Sequence, residues 1–217
     1  MSGNAQPVAT RSHFLALAAC LAALVAATVL ASCGDGDSAD AKETDGAFIV
    51  AMVPHHESAI EMAEIAAEEG EHPQVKELAR RIVATQAAEI DELERIHRRL
   101  FGQPIGQASH GTLGMPARAM GMGMDASELM GAKPFDREFI DMMVPHHQGA
   151  IRMARVELAR GEDPELMRIA KAIIDAQAGE IEEMNRWRSA WHGKPSPAGG
   201  MPAEGGAMMP SHEEMGH

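Results

Sequence analysis

The strongest constraint on this chain is that it contains one stretch twice. Asp45–Ile96 aligns on Asp136–Trp187, 91 residues later, without a gap, and 23 of the 52 positions are identical. The shared positions include Phe48/Phe139, His55/His146, His56/His147, Met62/Met153, Gly70/Gly161, Pro73/Pro164, Gln86/Gln177 and Glu89/Glu180. A gapless match of this length marks a duplication, so the fold must be one that two copies of a single unit can complete together.

Each copy reads as a pair of helices. The first helix is expected from about Asp45 to Glu69, ending at Gly70 as a residue of the C′ type. Pro73 suits the first turn of the next helix. That helix carries Val75, Leu78, Ala79, Ile82, Ile90, Leu93 and Leu100, apolar at a 3.6-residue period. The second copy repeats the pattern, with Asp136 as N-cap, Gly161 as the stop, and a stripe of Leu166, Ile169, Ala170, Ile173, Ile181, Met184, Trp187 and Trp191. Aromatic residues make up only 3 % of the chain, so the core must be aliphatic and methionine-based, which suits helices better than sheets. The expected fold is all-α: a four-helix bundle made of two duplicated helical hairpins. The connection between the hairpins is long enough for a ferritin-like crossover.

The remaining segments have other expected roles. In residues 1–32, Arg11 precedes an apolar run from Phe14 to Leu30, which fits a secretory signal. The run ends in "LASC", which looks like a bacterial lipobox with Cys33 as the lipidated residue; an uncleaved N-terminal anchor is the alternative. Residues 33–44 are small and acidic and read as a flexible tether. The bundle is expected over 45–192, as repeat 1 (45–101), a Met/Gly-rich linker (102–133) and repeat 2 (134–192). Residues 193–217 read as a disordered Met/His-rich tail. The expected location is extracytoplasmic, anchored to the cell membrane by lipid. The formal charge of −13 argues against a nucleic-acid partner.

The chemistry concentrates in "MVPHH", written at Met52–His56 and again at Met143–His147. On a helical wheel Met52, His55 and His56 border the stripe that also holds Phe48, Ala59, Ala63 and Ala66, and Met62 lies nearby. Each copy therefore offers a set of two histidines and two methionines near the interior: Met52, His55, His56 and Met62, then Met143, His146, His147 and Met153. Pro54 and Pro145 remove a helical hydrogen bond and predict a kink that re-aims the histidines; a new helix starting at each proline is the other reading. Gln86 and Gln177 fall on buried stripes, with Glu89 and Glu180 one turn away. A carboxylate accepting a ring N–H would fix the tautomer of a metal-bound histidine. The same four residues also suit a polar core network without metal.

The chain has 17 Met and 11 His, and no cysteine besides Cys20 and Cys33. Thioether with imidazole favours Cu(I) or Ag(I) over hard cations. Met115, Met120, Met122 and Met124 in the linker, and Met201, Met208, Met209, His212, Met215 and His217 in the tail, add to that expectation.

"MVPHHESAIEMA" and "MMVPHHQGAIRMA", each followed by a "Q..EI" helix, resemble the bacterial family known as domain of unknown function 305. The resemblance covers 45–192. It implies a ferritin-like helical bundle, often exported, with copper binding and copper resistance in some members. Carried over, the motif falls on the eight histidines and methionines named above. The first copy departs from the commoner "HHQGAI" by carrying Glu57 and Ser58.

Three functions compete. The first is a lipid-anchored protein that sequesters Cu(I) or Ag(I), or passes it between a copper donor and an acceptor protein, without catalysis. The second is a metal-free helical envelope or interaction module. The third is a di-iron oxidase, which needs a Glu-x-x-His on two helices. Glu94 and His97 supply one such motif, but the second copy has Asn185 and Arg188 at those positions.

Overall fold

The computed structural model describes residues 35–106 and 112–203, with side chains from residue 39 onward. The stretch 1–32 read as a signal, Cys33, and Met208, Met209, His212, Met215 and His217 lie outside the described residues. The chain divides into two compact units, Met1–Ala39 and Asp40–His217, and the second holds the bundle.

Four long helices form the described structure: α1 (Asp35–Glu69), α2 (Pro73–Phe101), α3 (Phe135–Arg160) and α4 (Pro164–His192). Two short 3-10 turns, Ala117–Met120 and Ala126–Leu129, lie in the linker. Both hairpin boundaries fall where the sequence put them, with Pro73 and Pro164 in first turns. Helix α1 starts at Asp35 rather than Asp45, so most of the stretch read as a tether is helical. Pro54 and Pro145 both sit inside continuous helices, which sets aside the reading that new helices begin there.

The two apolar clusters fix how the helices run. One joins the second half of α1 (Ala59, Met62, Ala63, Ala66), the first half of α2 (Val75, Leu78, Ile82), the first half of α3 (Phe139, Ile140, Met143) and the end of α4 (Ile181, Met184). The other joins Phe48, Ile49 and Met52 with Leu93 and Ile96, Ala150 and Met153, and Leu166, Ile169 and Ile173. Helix α1 is thus antiparallel to α2 and α3, and α2 is parallel to α3. Parallel α2 and α3 require a connection that returns along the bundle. The linker does this, packing Leu113, Met115 and Met120 on the second cluster, then Met124 and Leu129 on the first.

The linker methionines were counted above as soft metal ligands. Three of the four, Met115, Met120 and Met124, instead pack against the core. An unbranched thioether fills irregular gaps beneath a loop, and a crossover on a bundle creates such gaps.

The helix ends interlock through one conserved-by-duplication acid. Asp136 is not an N-cap; Pro134 holds that position. Its buried carboxylate accepts from the backbone N–H of Glu71 (2.7 Å) and His72 (2.9 Å), in the turn of the other hairpin. Its counterpart Asp45 accepts from the N–H of Glu162 (3.0 Å) in the opposite turn. Each hairpin therefore satisfies exposed donors at the other's turn, where helix N-termini leave N–H groups without partners.

Gly70 and Gly161 end their helices for a different reason from the one expected. Gly161 has φ −72°, not the left-handed value of a C′ glycine. A Cβ there would collide with the Glu157 and Asp45 carboxyls, and one at Gly70 would come within 2.7 Å of the Ala66 carbonyl oxygen. Glycine is needed for close approach, not for backbone freedom.

The segment after α4 also differs from expectation. Residues 194–203 form a strap across α3 and α4. Asn185 donates to the Gly199 carbonyl (2.8 Å) and accepts from the Ser196 N–H (2.8 Å). Gln148 donates to the Ala198 carbonyl (2.9 Å), and Arg155 to the Pro202 carbonyl (2.8 Å). Low apolar content suggested disorder, but hydrogen bonds from helix side chains hold the backbone instead.

Candidate metal site

Between the two apolar clusters lies a polar layer built from the repeated residues. His55, His56, His146 and His147 have no exposed surface, and Gln86 and Gln177 are nearly as buried. The antiparallel crossing of α1 and α3 brings the two copies of the motif face to face. His55 and His146 pack with ring centroids 3.7 Å apart and planes tilted by 35°. The neighbouring rings stand farther off, His55–His56 at 6.2 Å and His146–His147 at 6.5 Å.

The two histidines of each pair have different partners. His56 Nε2 bonds the Glu89 carboxylate at 2.7 Å, and His147 Nε2 bonds Glu180 at 2.8 Å. Each link stays within one hairpin and spans 33 residues, so the duplication built it twice. His55 and His146 have no such anchor: no side chain bonds either ring, and neither nitrogen makes a hydrogen bond of normal geometry, as with Nδ1 of His56 and His147, although the His146 and Met120 backbone lies close enough to His55 to favour its charged form in part. Burial, with the neighbouring histidines, lowers His55 to a pKa of about 3 and His146 well below its usual value. Those two rings are neutral imidazoles at physiological pH, the form that offers a lone pair to a metal.

All eight sequence-predicted histidines and methionines are buried. The methionines divide by apolar cluster: Met52 and Met153 lie on one side of the polar layer, Met62 and Met143 on the other. Glu89 and Glu180 take the histidine-orienting place expected of them. Gln86 and Gln177 do not reach the histidines; their side-chain oxygens are buried and unpartnered. With Glu89, Glu180, Ile82, Thr85 and Ala176 they line a cavity of about 40 Å³.

The donor chemistry fits a borderline or soft cation: among the described residues the buried nitrogens without a hydrogen-bond partner are all imidazole nitrogens, and the soft thioethers of Met52, Met62, Met143 and Met153 lie in the apolar clusters on either side. Leaving each one unsatisfied costs roughly 1–3 kcal/mol, which an ion would offset. Among the described residues, no three His, Cys, Asp or Glu side chains already converge on one point. Binding would therefore need the packed rings to turn.

The linker closes one side of this layer. Main chain meets main chain where Met120 and Gly121 press on α3: a Cβ on Gly149 would collide with the Met120 backbone, and one on Gly121 (φ +74°) would come within 2.9 Å of the His146 carbonyl oxygen. Arg152 fixes the turn by donating to the Ala119 carbonyl at 3.2 Å. In the first copy the same positions are Ser58 and Glu61. "HHQGAI" and "HHESAI" therefore differ because only the second copy carries the linker and the strap, through Gly149, Arg152 and Gln148. Sequence reasoning noted the difference but had no signal for the contact.

The di-iron motif has no support in the geometry. Glu94 faces solvent and pairs with Arg98 at 3.3 Å, while His97 Nδ1 bonds the Gln103 carbonyl at 2.8 Å. Arg188, at the position of His97, pairs with Asp141 at 3.0 Å.

The chain is similar to several known proteins. A solved structure of CopM in its Cu(II)-bound form shares 39 % identity over 68 % of this chain and 97 % of that one, with a TM-score of 0.61. CopM in its Cu(I)-bound form shares 38 % identity over the same share of both chains, with a TM-score of 0.59. A DUF305 protein from Streptomyces coelicolor shares 26 % identity over 72 % of this chain and 96 % of that one, with a TM-score of 0.62. Uncharacterized protein L153 of Acanthamoeba polyphaga mimivirus is 40 % identical over 50 residues, 23 % of this chain and 33 % of that protein. The domain of unknown function DUF305 matches residues 45–188 and again 136–217. With both copies of the histidine motif inside that match, the chain belongs to the DUF305 family.

Proposed function

We propose that this protein binds Cu(I) or Ag(I) outside the cytoplasm, anchored to the membrane through lipid on Cys33, and that it sequesters the ion or passes it between a donor and an acceptor protein. The observation that carries this reading is the buried, closely packed pair His55 and His146, whose ring nitrogens have no side-chain partner. A core does not keep four such imidazole nitrogens cheaply, and a soft ion is the partner their chemistry suits. His56 and His147 complete the set through Nδ1, their Nε2 atoms being held by Glu89 and Glu180. Met52, Met62, Met143 and Met153 supply thioethers above and below the layer. The similarity to CopM, solved with copper and with silver, supports the same ion class. The site holds a cargo ion, and no bond-making chemistry is assigned to it.

The test is anaerobic titration of untagged protein against a competing Cu(I) chelator. The wild-type chain takes up more copper than one carrying His55, His56, His146 and His147 all replaced by Ala. The second reading, a metal-free helical module, draws on the close contact of the two rings, which fills the core without an ion. It requires the two titration curves to coincide.

A further inference from the structure

Ions can reach the histidines only through a gap in the bundle, and the faces of the polar layer differ in what they leave open. On the α3 side the linker is seated backbone to backbone at Gly149. On the α2/α4 side, Glu89 and Glu180 keep 15 % and 16 % of their side chains exposed, although the histidines they hold have none. The cavity of about 40 Å³ lies there, lined by Thr85, Gln86, Glu89, Ala176, Gln177 and Glu180. A wider cleft of about 480 Å³ shares Thr85, Ala176 and Glu180 with it and opens outward past Arg81, Gly179, Glu183 and Arg186. A Cβ added at Gly179 would meet nothing, so the cleft is open at that point.

We propose that the seam between α2 and α4 is the route by which a cation enters and leaves, with Gln86, Gln177, Glu89 and Glu180 forming an oxygen-lined station on the way. This rests on the copper reading and adds where the ion passes. The inner cavity offers oxygen atoms as acceptors. The Gln86 and Gln177 side-chain oxygens are 97 % buried or more at the residue level and have no partner. Each glutamate gives one bond to a histidine and retains further lone pairs. Such a lining suits a cation that has shed part of its water, and it rejects anions. At the mouth Arg81 pairs with Glu183 at 2.6 Å, while the Arg186 charge there is not paired among the described residues. From the station, each glutamate leads directly to His56 or His147.

The port is tested by plugging it from outside. Gly179→Leu and Thr85→Phe each put bulk into the cleft at exposed positions, and the first also replaces a helical glycine with a strong helix former. Cu(I) is supplied anaerobically as a chromogenic chelator complex and its transfer followed by stopped flow. The phase lost on replacing all four histidines reports the bundle. Each plug is expected to slow that phase at least tenfold while leaving the final copper stoichiometry unchanged. A histidine-dependent phase of wild-type speed in both variants overturns the port and leaves the copper reading standing. A wild-type chain with no histidine-dependent phase overturns both.

Discussion

His55 and His146, ninety-one residues apart in sequence, meet in the centre of the bundle with ring centroids 3.7 Å apart and planes tilted by 35°. Each ring belongs to a different copy of the repeat, so the contact exists only because the duplication folded back on itself antiparallel. Both rings are neutral in the fold, yet either takes a proton below about pH 6.5 once unfolded. Between that value and about 3, the unfolded chain binds more protons at His55. Metal-free protein is therefore expected to lose stability as pH falls through this window, with full stability above it. The slope is on the order of 1.4 kcal/mol per pH unit for each ring. Urea midpoints at pH 4.5 and 7 measure it. The double variant His55→Gln, His146→Gln should flatten the slope.

Glu157 predicts the opposite sign. It is fully buried, occupies the position of Ala66 in the first copy, and lies against Asp45. Burial first, then the neighbouring Asp45 carboxyl, raise its pKa to about 9. The folded state thus holds a proton that the unfolded state releases near pH 4.5, and stability falls as pH rises from there towards 9. Glu157→Gln keeps the shape and donates to Asp45 without a proton to lose. It should stabilise the protein at pH 7 on the order of 2 kcal/mol, and remove the decline between pH 5 and 9. Thermal unfolding across that range decides it; a destabilised variant would mean Glu157 is ionised.

Much of this was legible because the duplication doubled every signal. Proline spacing, the apolar period and the paired histidines placed four helices and put all eight candidate ligands in the core. The link from His56 to Glu89 was legible too, since a carboxylate one turn from a buried amide needs a reason. Contacts made by only one copy were not. Gly149, Arg152, Gln148 and Asn185 differ between the copies, and their partners are backbone atoms of the linker and strap, which carry no sequence pattern. Asp136 misled for a related reason. An aspartate near a helix start reads as that helix's own cap, whereas Asp136, like its counterpart Asp45, serves the turn of the other hairpin.

Seating of the linker can be probed through Gly149. Gly149→Ala places a methyl where the Met120 backbone already lies. Backbone cannot yield as a flexible side chain does, so the turn must lift, at a cost of roughly 1–3 kcal/mol. Limited proteolysis should then cut the linker faster, with the helices spared. Ser58→Ala, at the matching position in the first copy, meets no such contact and should leave the cleavage rate unchanged.

The strap offers the last test. Asn185 holds it from both sides, donating to Gly199 and accepting from Ser196, and the nearby Ser196 is itself buried. Asn185 replaces Glu94 of the first copy, a residue that only pairs with Arg98 on the surface. Asn185→Ala removes two hydrogen bonds, worth roughly 0.5–1.5 kcal/mol each. Gln148 and Arg155 still grip the strap farther along, so release should be local. Hydrogen exchange is expected to quicken at the Ser196 amide while α4 amides keep wild-type protection. Exchange that stayed slow at Ser196 would mean the strap is held by packing alone.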